Sequence, residues 1–278
     1  MSRTTIRKFL QLRSLLALSV FALLPAYALT ASGQQKDAKA VVISAAATEL
    51  EADHNDHSAY EYRDHDVTPD HDTLFLTIET PVGNLHRKLA DHGKPLTLED
   101  RQADDARNQN LLQDQGLQRK LRRDTNHDDN QAEELLKLLP YAFLWSISSD
   151  VGDLMTLDFK RNPNFQPPNM EARVFASMEG QIVVAKSDNR IRTIRGRMMD
   201  DVKIFGGILG GLHKGGTFQV ERREVAPHHW QVTELHVHIS GKVFFATIGS
   251  QEDEWKTDFK TSHAQSLQEA WEIAKKVQ

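Results

Sequence analysis

The chain has 278 residues, 39% of them apolar and 26% charged, which is enough to bury a core as one large domain or two small ones. Its 34 basic and 39 acidic residues leave a net charge of −5, which argues against a nucleic-acid partner. There is no cysteine, and this excludes structural disulfides, thiolate metal sites, thiol catalysis and a lipid-modified N-terminal cysteine.

Arg3, Arg7, Lys8 and Arg13 precede the apolar run SLLALSVFALLPA, and the small-residue triplet Ala26, Tyr27, Ala28 follows it. This order predicts a secretory signal peptide over residues 1–28, with a mature chain from Leu29. The run falls short of the roughly 20 residues that span a bilayer, and no second such run follows. Removal of 1–28 takes away four positive charges and no negative ones, moving the net charge to −9. An exported chain without cysteine is expected in a bacterial periplasm, not lipid-anchored.

Residues 29–36 read as a flexible start. Residues 37–53 are alanine-rich, with Val41, Ala45, Thr48 and Ala52 near helical spacing, and predict an amphipathic helix. AYEYRDHDV (59–67) and the run 73–91 alternate or are β-rich, and predict the first strands of a meander. At Thr97 the character changes. Residues 97–123 are dense in charge and helix formers, and Thr97 with Asp100 is a helix-start signature. DTNHDDN (124–130) is read as an interruption, and QAEELLKLLPYAFLW (131–145) as a second, apolar helix limited by Pro140. Together they predict a helical hairpin inserted at about 97–143, lying over an opening that Leu135, Leu139, Phe143 and Trp145 would plug or line.

After Ser146 nearly every segment reads as β, including EARVFASME, down to a last helix at 264–277. About ten strands in succession predict a mainly β, α+β chain. Residues 29–278 would form one domain around an antiparallel sheet that curls into an unclosed half-barrel with a helical lid.

Three stretches are candidates for chemistry. The segment IFGGILGGLHKGG (204–216) lacks the Gly-Lys-Ser/Thr ending of a phosphate loop, since Lys214 stands between His213 and Gly215. Phe205, Ile208, Leu209 and Leu212 instead make a bulky apolar tip. It is either a buried strand crossing with bulges or a hydrophobic loop at a cavity mouth or membrane surface. In HHWQVTELHVH, Glu234, His236 and His238 share one strand face, which is either a polar outer face or a weak metal signal; no metal or cofactor is assigned. Arg190, Arg192, Arg195, Arg197, Lys203, Arg222 and Arg223 are either partners of acids such as Glu221 and Glu224 or contacts for an anionic headgroup. No Gly-x-Ser-x-Gly, HExxH or Ser-x-x-Lys pattern occurs, and no catalytic residue is nominated.

DFKRNPNFQPPNMEARVF, the long run from GQIVVAKSDNR to GGTFQVERREV, and HHWQVTELHVHISGKVFF resemble the C-terminal half of a group of bacterial outer-membrane lipoprotein-sorting-like proteins; YEYRDHDV and HGKPLTLEDRQADDA resemble its N-terminal half. That group is similar in fold to the LolA/LolB lipoprotein carriers, in which an unclosed half-barrel wraps a hydrophobic cavity under a helical lid. The resemblance implies a periplasmic carrier for lipid or lipoprotein acyl chains, without catalysis, with an outer-membrane or other envelope protein as a candidate partner. A sensor or protein-interaction module on the same half-barrel is the alternative, and a hydrolase or metal protein a third. The charged insertion is a departure from the classical carriers.

Overall fold

A computed structural model of the chain describes residues 25–204, 210–243 and 246–277. Most of the expected signal peptide (1–24), and the candidate site residues Phe205, Ile208 and Leu209, lie outside the described residues. Among the described residues there are thirteen strands and five helices, so the chain is α+β and mainly antiparallel sheet.

The helix α1 (Pro25–Asn55) starts earlier than the expected 37. Proline suits a first helical turn, and alanine- and glutamine-rich sequence carries the helix on from there. The meander β1 (Ala59–Val67), β2 (Asp72–Ile78), β3 (Leu85–Asp91) and β4 (Lys94–Pro95) follows. Then come α2 (Leu98–Gln113) and α3 (Gln115–Ala142). Two consecutive helices are therefore present, but the break between them is at Asp114 and not at 124–130. The Asp114 side chain accepts from the amides of Gly116 and Leu117 and starts α3, while its own amide closes α2 on Asn110. DTNHDDN stays helical: an exposed poor helix former costs only a few tenths of a kcal/mol, and Lys120 reaches Asp124 one turn on. Pro140 sits inside α3, close enough to its end that little of the helical ladder is lost.

The residues expected to end the second helix instead open a strand. Phe143 and Trp145 begin β5 (Phe143–Val151), paired with β6 (Leu154–Arg161). EARVFASME, read as a strand, is mostly the short helix α4 (Met170–Ala176), because Asn169 caps it by accepting from the Ala172 amide. β7 (Met178–Ala185), β8 (Arg190–Met198), β9 (Val202–Ile204), β10 (Gly210–Leu212), β11 (Thr217–Ala226), β12 (His229–Val243), β13 (Ala246–Ser262) and α5 (Leu267–Ala274) complete the chain. β5 and the short strands β4, β9 and β10 are additional to the expected strands, and with EARVFASME lost to α4 the total is thirteen. Strands β9 and β10 flank the centre of the glycine stretch and pair with each other, β10 also pairing with β12. A Cβ on Gly211 would fall 2.6 Å from the Val202 carbonyl oxygen, so glycine permits that close approach.

The sheet runs β4-β3-β2-β1-β13-β12-β11-β8-β7-β6-β5 and does not close. Its register separates two faces cleanly. One cross-strand row reads Ile147, Leu157, Ile182, Ile194, Val220 and Leu235, then turns acidic at Glu254 and Asp66. The neighbouring row on the opposite face reads Ser146, Asp158, Gln181, Arg195, Gln219, His236 and Asp253. The apolar half must therefore be covered, and α1, α3 and α4 cover it. Ala38, Val42 and Ala45 of α1 and Leu139 and Ala142 of α3 are buried against Trp145, Phe159, Ile182 and Ile191. A second cluster packs Leu267, Ala270 and Trp271 of α5 on Leu76, Ile78 and Leu85, with Leu111 and Leu112 of α2 beside them.

Candidate functional site

Between the apolar sheet face and the three helices lies a cavity of about 680 Å³, in the range that small-molecule sites occupy. Helix α3 presents Leu135 and Leu136, and Leu139 one turn further on, to it. Val174 and Phe175 of α4 and Leu50 of α1 add to the helical wall. The sheet wall is Ile191 and Ile194 of β8, Phe218 and Val220 of β11, and Val232 and Ile239 of β12. The apolar part of the lining rewards an apolar body that fits it.

At one edge of the cavity Glu49 on α1 meets two arginines. Arg190 Nη2 donates to Glu49 Oε2 at 2.9 Å, Arg222 Nη1 donates to the same oxygen, and the Ile191 amide donates to Oε1 at 2.6 Å. Burial alone would raise the Glu49 carboxyl, but Arg222 and Arg190 together hold it below the usual carboxylate range. The group ties α1 to β8 and β11. Around the cavity the remaining charged residues are all acids: Asp53, Asp129, Glu133 and Glu171.

Of the candidates read from the sequence, Leu135 and Leu139 line this cavity. Phe143 and Trp145 lie in the adjoining core, 2% exposed, with Phe143 4.5 Å from the Phe159 ring centroid, and are not part of the lining. Leu212 packs half-buried on the same core, away from the cavity lining. The sheet wall and Glu49 are not among those candidates. A signal for Glu49 existed: it continues the small-residue stripe Ala38, Val42, Ala45 as its one acid.

The arginine cluster divides. Arg190 and Arg222 go to Glu49, whereas Arg192 reaches Glu221 at 3.5 Å and Arg223 reaches Glu234 at 2.9 Å. Glu224 accepts instead from the His228 amide. His236 and His238 do share a face with Glu234, but both bond Asp253 on β13, at 2.6 and 3.1 Å. Burial raises the Asp253 carboxyl and the two imidazoles more than offset it, leaving it below its ordinary value. Among the described residues no three His, Asp or Glu side chains are placed to hold a metal ion. His65 pairs with Asp72 at 2.7 Å and His71 with Asp66 at 2.8 Å across the first hairpin. No described helix is long and apolar enough to cross a membrane.

No family model, curated protein or solved structure matches the chain.

Proposed function

We propose that the chain is a binding protein or carrier for an apolar ligand, most simply the acyl chains of a lipid or lipoprotein, working in the periplasm on a LolA/LolB-like half-barrel and without catalysis. The cavity of about 680 Å³ between the apolar sheet face and α1, α3 and α4 carries this reading. The unclosed antiparallel sheet and its helical cover suit a half-barrel under a lid. The binding free energy would come from buried area: about 0.8 kcal/mol per methylene gives roughly 8 kcal/mol for ten of them. The loss of translational freedom offsets much of that, leaving reversible binding of the kind a carrier needs. Helix α3 supplies one wall, so the bound chain would lie between α3 and strands β8 and β11.

Native mass spectrometry of protein purified from its own source, without detergent, tests the reading. A fraction heavier by the mass of an acyl-chain lipid is expected; a single species at the bare polypeptide mass, unchanged on adding a neutral dodecyl ligand, would overturn it.

One observation favours the interaction-module reading as a second. Edge strand β5 and the start of β6 expose Leu144, Val151 and Leu154 on the outside of the sheet's last hairpin. An envelope protein that gives or receives cargo would find there a group of apolar side chains on the sheet's last hairpin.

A further inference from the structure

The charged residues at the cavity are five acids and one base: Glu49, Asp53, Asp129, Glu133 and Glu171 against Arg222. Their pairing is uneven. Glu49 is held by both Arg190 and Arg222, which leaves that group one positive charge in excess, and Glu133 pairs with Lys137, one turn along α3. Asp53, Asp129 and Glu171 have no ion-pair partner among the described residues. Nor is Arg222 free for an anion: one guanidinium nitrogen donates to Glu49 and another to the Trp230 carbonyl oxygen at 3.3 Å.

We propose that the cavity takes amphiphiles whose head group carries a positive charge, the apolar chain lying against Leu135, Phe218 and Val220 and the cationic head resting among Asp53, Asp129 and Glu171. The proposal rests on the carrier reading and narrows it to a ligand class. An anionic head would enter a mouth lined by three carboxylates without ion-pair partners, whereas an ammonium head would supply the charge that they lack. The state of Asp129 agrees: its carboxyl is raised first by partial burial and then by Asp53 and Asp128, the mark of like charges crowded together. The mouth is open to water, so the preference must weaken with salt.

The test uses the full chain and a neutral apolar fluorophore, N-phenyl-naphthylamine, displaced by dodecylamine, dodecanol or dodecanoate below their micelle concentrations at about pH 7.5. Dodecylammonium should displace the fluorophore at a concentration at least tenfold lower than dodecanoate at low salt, with dodecanol between them. At about 0.5 M salt the gap should shrink severalfold. Combining Asp53→Asn, Asp129→Asn and Glu171→Gln should close most of it at low salt. Fluorophore binding with dodecanoate equal to or tighter than dodecylammonium would overturn the head-group selection and leave the carrier reading standing. A gap that survives the triple substitution would overturn the assignment to these three residues. No fluorophore binding at all would overturn both readings.

Discussion

Glu49 on α1 and Arg190 on β8 form an ion pair at 2.9 Å with side chains 4% and 9% exposed, and Arg222 of β11 joins them on the same carboxylate oxygen. Two guanidiniums depend on one acid. Removing that acid strands buried positive charge, which costs about 3–5 kcal/mol. Glu49→Ala is therefore expected to lower stability by that amount in urea unfolding near neutral pH, and adding Arg190→Met should recover part of the loss. A change under about 1 kcal/mol would show that the group is not buried. The depressed Glu49 carboxyl stabilises the fold above its unfolded pKa, and that contribution disappears as the pH falls through its lower folded value. The variant should accordingly lose less stability on acidification than the parent does.

The opposite sign holds at the acidic end of the same sheet face. Asp64 is 5% exposed and its Oδ1 has no hydrogen-bond partner. Burial first, and Glu254 second, push its carboxyl up to about 7, with Lys256 opposing them. The folded state therefore holds this proton more tightly than the unfolded chain, so its contribution is lost as the pH rises from about 4 to about 7. Asp64→Asn should flatten stability over that window and raise the melting midpoint at pH 8, at about 2–4 °C per kcal/mol recovered. Scanning fluorimetry at pH 5 and 8 checks this; an unchanged pH slope would contradict it.

Gly180 and Gly196 face each other across β7 and β8, in a row flanked by Phe159 and Phe218. A Cβ on Gly180 would strike the Arg195 carbonyl oxygen, which is backbone and cannot move aside, whereas one on Gly196 would strike the Phe218 ring. Gly180→Ala should thus be the more damaging substitution, by a margin of about 2 kcal/mol or more in chemical denaturation. Gly196→Ala should be partly rescued by Phe218→Leu. Equal losses from the two glycine substitutions would sink this account of the pair.

Lining and core residues should separate in a two-way measurement. Trp145→Ala empties packed core and should cost about 3–5 kcal/mol. Leu135→Trp narrows the cavity from its helical wall and should weaken apolar-probe binding at least tenfold, with a much smaller change in stability. Probe binding that responds to neither would place the ligand elsewhere.

What could be read from the sequence divides along physical lines. Strands whose alternation is strong, such as those around Val220 and Leu235, are visible because the period of two is local. β5 was hidden because the leucine-rich helical segment ahead of it runs into Phe143 without a break; pairing of Trp145 with the distant Phe159 decides its state. In α4, Val174 and Phe175 favour a strand, yet the Asn169 cap wins. The cavity was half legible: Leu135 and Leu139 share a helical face that any helix reading exposes. Ile194, Phe218 and Ile239 become a wall only through the register of strands that are far apart in sequence, and no local pattern says which of two alternating faces the helices will cover. The buried role of Glu49 likewise depends on arginines more than 140 positions away.

The central claim is that an apolar ligand occupies the space between α3 and the sheet. Methyl-resolved NMR during titration with dodecanol, below its micelle concentration, tests it most directly. The account predicts saturable shifts near one equivalent at Leu135, Leu139, Val174, Val220, Val232 and Ile239, the methyls that line the cavity. Shifts confined to exposed methyls such as those of Leu144 and Val151, or no saturable shifts at all, would contradict it.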